Sequence, residues 1–196
     1  MLAQLRPALV MIAIFTGLTG IVFPLGFVAF GKLAFPYQAG GSLVEAHGQV
    51  IGSALIGQNF TAEKYFWGRP SALMGTDPKD STKQIATPYD AGESGASNLG
   101  PTSKALIDRV TAALTPAGTK PVPGDALTTS ASGLDPDISP ENAAGQVARV
   151  AHARGMSPEL VRALVTQKTQ APALGFIGAP RVNVLELNLA LDSTKP

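Results

Sequence analysis

Between Arg6 and Lys32 the chain runs for twenty-five residues without a charged side chain, most of them apolar. As a helix rising about 1.5 Å per residue this segment reaches roughly 37 Å, enough to cross a hydrocarbon core of about 30 Å with some tilt. We expect a membrane-spanning helix over residues 7–31, a tail of residues 1–6, and a single domain over residues 32–196. A cleaved signal peptide is the structural rival. Its apolar stretch is usually about 7–15 residues, follows a basic region and ends at small residues. Here Arg6 is the only basic side chain before the run, and Phe35-Pro36-Tyr37 occupies the place of a cleavage site. An uncleaved anchor fits better, with the rings of Phe30, Phe35 and Tyr37 near the far interface.

Orientation follows from weaker signals. Arg6 and the amino terminus face Lys32 across the span, so the charge bias is small. A short tail with a positive end normally stays in the cytosol, and the chain has no cysteine, which suits a domain outside it. The expected placement has the N-terminus cytoplasmic and the domain extracytoplasmic. Within the span, Ala13, Thr16, Gly17 and Gly20 recur at three- and four-residue spacing and share one helix face. Small residues let helix backbones approach closely in lipid, where no hydrophobic force drives association. This face is a candidate packing surface for another membrane helix. Pro24 removes an amide that would bond to the Gly20 carbonyl, and so predicts a kink.

Beyond the span, 16 prolines and 21 glycines in the whole chain imply short elements and many loops. Apolar spacing at Leu106, Ile107, Val110 and Leu114 predicts a helix between Pro101 and Pro116. Ser139-Pro140-Glu141 and Ser157-Pro158-Glu159 each read as a helix start: a serine cap, a proline in the first turn and an acid at the positive dipole end. The first should end at Gly155, giving a helical hairpin, with Leu160, Val161, Leu164 and Val165 as the buried face of the second. Asn183 and Glu186 resemble a capping box before Leu187 and Leu191, although alternation of leucines from Leu185 to Leu191 also permits a strand. Strand character is thinner, at Gln49–Ile56, Tyr65–Trp67 and Leu127–Ser130. Residues 74–100 read as a long exposed loop. The expected fold class is α+β: one transmembrane helix, then a mixed, helix-rich domain.

Chemistry in the sequence is sparse. A net charge of +1 with scattered charges gives no footprint for nucleic acid. His47 and His152 have no partner at metal-ligand spacing. Ser94, in Gly92-Glu93-Ser94-Gly95-Ala96, misses the last glycine of a nucleophile elbow. The run from Gly95 to Gly100 has the glycine spacing of a phosphate-binding loop, but Pro101 replaces its lysine. Asp135 and Asp137 stand close enough to suggest a hard-cation site, or else a solvated acidic pair before a helix. An extracytoplasmic serine hydrolase, with Ser94 or Ser97 as nucleophile and His152 or His47 as base, is the alternative enzyme reading.

Ordered blocks along the chain carry a resemblance. They are Gly52-Ser53-Ala54-Leu55-Ile56-Gly57-Gln58-Asn59-Phe60, Tyr65-Phe66-Trp67-Gly68-Arg69-Pro70-Ser71-Ala72, Ser94-Gly95-Ala96-Ser97-Asn98-Leu99-Gly100-Pro101, Leu127 through Pro136, Ile138-Ser139-Pro140, and Pro180 through Asn188. With the N-terminal span, they resemble the KdpC family, which belongs to the Kdp-type potassium-transporting ATPases of bacteria. The resemblance implies a non-catalytic accessory subunit of an ATP-driven potassium importer in the bacterial inner membrane. Its implied partners are a potassium-translocating subunit, a P-type catalytic subunit and a small membrane peptide. It also implies a catalytic-chaperone role that raises ATP affinity of the catalytic subunit, with Ser94, Gly95, Ser97 and Asn98 in the loop likened to a nucleotide signature. Ala96 departs from that loop's pattern. No cofactor of its own is expected, and ATP enters through the resemblance alone. An extracytoplasmic domain and direct contact with cytosolic ATP exclude each other; the topology has the firmer physical basis.

Overall fold

The computed structural model describes residues 4–115 and 121–194. The chain forms two compact units that divide between Ser53 and Ala54.

In the first unit, α1 (Leu5–Gly17), a π-helical turn (Leu18–Val22) and α2 (Phe23–Ala34) form one apolar helix of 30 residues, long enough to cross a membrane. The uncharged run of residues 7–31 lies wholly within it. Pro24 has no amide hydrogen, and in an ordinary helix its ring presses on the carbonyl four residues back. The chain widens instead of breaking: the Phe23 amide bonds to the Leu18 carbonyl, five residues back. Phe35 leaves helical geometry at φ −137°, and the single turn α3 (Pro36–Ala39) follows. A hairpin closes the unit, β1 (Leu43–Ala46) against β2 (Gln49–Ser53). Its tip, His47 and Gly48, has φ of 53° and 76°, the paired positive values that a two-residue turn needs to match strand twist. The strand expected over Gln49–Ile56 therefore ends at Ser53.

The second unit is built on three helices and a small sheet. β5 (Asp137–Ile138) and β6 (Thr169–Gln170) flank β7 (Arg181–Asn183), all antiparallel. α6 (Pro140–Arg154), α7 (Pro158–Lys168) and α8 (Val184–Ser193) pack with this sheet around Phe66, Ile138, Val150, Val161, Val182, Leu187 and Leu191. The starts of α6 and α7 are as the sequence predicts: Ser139 Oγ accepts the Asn142 amide at 3.1 Å, and Ser157 Oγ the Leu160 amide at 3.2 Å. Gly155 ends α6 in the left-handed conformation, φ 65°, which a glycine reaches without a Cβ clash. Asn183 caps α8 through the Glu186 amide at 3.0 Å, and the leucine alternation is resolved as helix.

Other expectations change. Leu160 on α7 is exposed, and the buried stripe narrows to Val161 and Val165 with Leu164 beside it. α4 (Lys104–Leu114) is present but buries none of its residues; its expected stop at Pro116 lies outside the described residues. Residues 74–86 are not loop. They form a hairpin, β3 (Met74–Asp77) with β4 (Asp80–Ala86), whose turn is fixed by the Asp77 carboxylate accepting the Lys79 amide at 2.8 Å. Its strands are polar on both faces, so no hydrophobic alternation marks them. Leu127–Ser130 is not a strand either. Leu127 closes the one-turn helix α5 (Gly124–Leu127), and the Thr128 hydroxyl bonds back to the Gly124 carbonyl at 2.8 Å. Tyr65–Trp67 pairs with side chains rather than with a strand. Gln146 of α6 accepts the Trp67 amide at 2.8 Å and donates to its carbonyl at 3.1 Å.

Candidate functional site

The irregular segments of the second unit converge on one polar cluster. Arg69 is its hub: its guanidinium bonds to Asp135 at 2.9 Å, the Thr129 carbonyl at 3.3 Å and the Thr128 hydroxyl at 3.4 Å. Its own carbonyl accepts the Tyr89 hydroxyl at 2.7 Å. Tyr89 lies between glycines. A Cβ built on Gly57 would stand 2.5 Å from the Tyr89 ring, and one on Gly68 would overlap the Tyr89 hydroxyl. At Gly57 the added carbon would also press on the Asp135 carbonyl at 2.7 Å, so a side chain at either place requires Tyr89 or the backbone to shift. Burial, reinforced by the nearby Asp135 carboxylate, pushes the Tyr89 phenol up to about 12, so it remains a hydrogen-bond donor at physiological pH.

The loop likened to a nucleotide signature is part of this cluster. The Gly95 amide donates to the Ser132 carbonyl at 2.9 Å, and the Ser94 hydroxyl donates to that same oxygen at 3.2 Å. Ser97 Oγ lies 3.5 Å from the Thr129 hydroxyl, which donates to it, and Asn98 turns the chain with φ 52°. Gly133, at φ 71°, brings its strandless segment against Leu73 and the Gly95 carbonyl. Thus Ser94, Gly95, Ser97 and Asn98 lie together, joined to Thr129–Gly133. Neither serine hydroxyl bonds to a histidine among the described residues. His152 is exposed on α6.

Below the cluster a cleft of about 360 Å³ is lined by Arg69, Asp125, Asp135, Asp137, Ser139 and Arg181. Two of its three carboxylates are paired with arginines. Arg69 holds Asp135, and Arg181 holds Asp137 at 3.1 Å. A hard cation at Asp135 and Asp137 would have to displace two guanidinium groups. Among the described residues no group of three or more His, Cys, Asp or Glu side chains could hold a metal. Burial raises the Asp137 carboxyl above its usual range; Arg181 opposes this, and Asp135 adds to it. Asp125 behaves in the opposite way. Burial would raise it, but bonds from the Ser139 amide, the Asn142 side chain and the Ser139 hydroxyl outweigh burial and hold it low. Those bonds brace the start of α6 from a residue fourteen positions upstream.

Sequence reasoning singled out neither Arg69, Tyr89 nor Asp125 for this cluster. Their roles depend on contacts between segments far apart in the chain, which no local pattern carries. In the first unit, Ala13, Thr16, Gly17 and Gly20 all lie on the apolar helix. A Cβ added at Gly17 or Gly20 meets nothing within 4 Å, so the face is open.

Comparison with known proteins extends these observations over the whole chain. A sequence profile of the family described as KdpC: K+-transporting ATPase, c chain, matches residues 5–193. The chain belongs to the KdpC family. A relative from Rhodopseudomonas palustris (strain BisB18), named potassium-transporting ATPase KdpC subunit, is 56% identical over 201 residues, covering all of both chains. Relatives of the same name from Bradyrhizobium diazoefficiens and Methylobacterium nodulans are 55% and 54% identical, each over 98% of both chains. The KdpC match takes in the apolar helix, the polar cluster and the helical core together.

Proposed function

We propose that this chain is a membrane-anchored, non-catalytic subunit of an ATP-driven potassium import complex. In this reading it assembles with a potassium-translocating subunit, a P-type catalytic subunit and a small membrane peptide, stabilises the assembly and supports ATP use by the catalytic subunit. The observation that carries the reading is the KdpC match over residues 5–193, joined to an apolar helix at Leu5–Ala34 that can serve as the anchor.

The site chemistry supports a bracing role rather than a reacting one. Arg69, Tyr89, Ser94 and Asp135 are committed to holding loops together. The Gly95 amide, which a phosphate cradle would need to point at its ligand, is used by the Ser132 carbonyl. With the second unit placed outside the membrane, the effect on ATP use passes through the partner chains and needs no nucleotide on this one. Ala13, Thr16, Gly17 and Gly20 then serve as the surface where the anchor meets a partner helix.

The test is co-purification in mild detergent of the ATPase chains with the full-length chain and with a version lacking residues 1–32. The reading expects all chains to be recovered with the full-length protein, and potassium-stimulated ATP hydrolysis to fall when the anchor is missing. Recovery of the full-length chain alone would overturn it.

A further inference from the structure

The apolar helix carries a polar group that its own ladder leaves unpaired. At the π-helical turn Leu18–Val22, the Phe23 amide bonds to the Leu18 carbonyl, five residues back. In an α-helix that amide would close on the Thr19 carbonyl, four residues back. The following amide, which could reach Thr19 at π spacing, does not exist, because residue 24 is proline. Neither spacing therefore serves the Thr19 carbonyl. The Thr19 hydroxyl is committed elsewhere, donating to the Phe15 carbonyl at 2.7 Å.

Its place in the span makes this gap matter. Residue 19 is the midpoint of the uncharged run 7–31, so its carbonyl lies near the bilayer centre, where water is scarcest. A backbone carbonyl without a donor is costly in hydrocarbon. The next residue, Gly20, has no side chain to cover it, and a carbon added there would meet nothing within 4 Å.

We propose that the Thr19 carbonyl accepts a hydrogen bond from a hydroxyl or amide side chain on a transmembrane helix of a partner ATPase chain. The inference rests on the subunit reading above and adds a chemical requirement to the small-residue face. The other occupants have no donor at this height. Lipid acyl chains carry none at all. A second copy offers only Thr16 and Thr19 as donor side chains between residues 7 and 31, and its Thr19 hydroxyl is engaged in the same way. Two copies inserted alike and related by a two-fold axis stand parallel and in register. Thr16 of the copy then lies about 4.5 Å below residue 19 along the axis. Helix side chains lean toward the N-terminus while carbonyls point toward the C-terminus, which widens the gap beyond hydrogen-bond length. A donor from a different helix meets no such restriction, and side-chain hydrogen bonds between membrane helices are an established means of association.

The experiment places threonine with a ¹³C=¹⁸O carbonyl at position 19 of the full-length chain by nonsense suppression. Its infrared band is read in lipid vesicles, for the chain alone and for the chain assembled with the other ATPase chains. The expected result is a band at the free-carbonyl frequency alone that moves to the lower, bonded frequency on assembly. A band that does not move on assembly would overturn the proposal, as would one already low in the chain alone through water or a second copy. Pro24→Ala supplies the second arm, since it restores an amide and lets the ladder close. In that variant the band should be low from the start. Differently tagged wild type and Pro24→Ala then compete for limiting ATPase. The variant should be recovered roughly three- to twentyfold less, the range that hydrogen bonds between membrane helices span. Equal recovery would overturn the role in assembly. If wild type itself fails to recover the ATPase chains, the subunit reading fails; if it recovers them and the Thr19 band stays put, only the hydrogen-bond assignment fails.

Discussion

Asn188 of α8 pairs with the backbone of Phe66 in both directions: its Oδ1 accepts the Phe66 amide at 2.8 Å and its Nδ2 donates to the Phe66 carbonyl at 3.0 Å. Both residues are buried. Asn188 therefore does for Phe66 what a neighbouring strand would do, in the middle of the core. Gln146 makes the same exchange with Trp67 at a more exposed position.

Replacing Asn188 with Ala leaves a buried amide and a buried carbonyl without partners, at about 1–3 kcal/mol each. Asn188→Ala should cost about 2–5 kcal/mol in thermal or urea unfolding of the detergent-solubilised chain. Gln146→Ala should cost about 1 kcal/mol, because water can reach the Trp67 groups. Equal losses would mean that burial is not what makes Asn188 matter.

Two glycines should respond in opposite directions to the same change. At Gly133 a Cβ would lie 2.5 Å from Leu73 Cγ, on a backbone with φ 71°. Gly133→Ala should destabilise by about 2–4 kcal/mol through left-handed strain and overpacking. Gly145 lies inside α6 with nothing within 4 Å of the added carbon, and Gly145→Ala should stabilise by about 0.5–1 kcal/mol. Melting temperatures of the two variants would move apart.

Acid titration should separate two aspartates. The folded state lowers Asp125 below its ordinary 3.8, so near that pH the unfolded chain binds more protons. Its stabilisation is present above pH 3.8 and is lost as pH falls through the lowered value. Asp125→Ala should therefore lose more stability at about pH 6 than at about pH 3. Asp137 has the opposite sign: it is raised, the folded state holds its proton more tightly, and its contribution falls as pH rises past 3.8. Asp137→Asn should steepen the rise of melting temperature with pH across this window, and a flatter rise would contradict the assignment.

The small face of the anchor is testable by bulk. Gly17→Leu with Gly20→Leu places side chains where close backbone approach is needed, with individual contacts worth on the order of 1 kcal/mol. The double variant should insert in the membrane but be lost from the complex in detergent. Leu18→Ala with Ile21→Ala should be retained. Retention of both variants would reduce the glycines to ordinary membrane-helix composition.

What the sequence disclosed follows the range of the interactions involved. The long apolar helix is legible from its uncharged run, and the Ser139 and Ser157 caps, the Gly155 stop and the Asn183 cap are legible because residues within one turn of each other set them. The hairpin at Met74–Ala86 is not, because its strands are solvated on both faces and its pairing resides in the backbone. The Phe66–Asn188 exchange spans 122 positions, and the Arg69–Asp135 pair 66. Such contacts have no local period, so the aromatic run resembles a strand and the polar cluster resembles separate loops. The Ser94–Asn98 segment is visible as a motif, but its attachment to Ser132 and Thr129 is not.

Central to the proposed function is a second unit lying outside the membrane, where it meets partner chains and not ATP. Lys79, at the exposed tip of the β3–β4 hairpin, is the position to probe; the adjacent Asp80 side chain is engaged with Thr82 and Lys83. The chain has no cysteine, so Lys79→Cys introduces a single label site. In intact spheroplasts a membrane-impermeant maleimide should label Lys79→Cys as fully as after lysis. Labelling only after lysis would place the domain in the cytosol, contradict the proposed topology and reopen direct ATP binding.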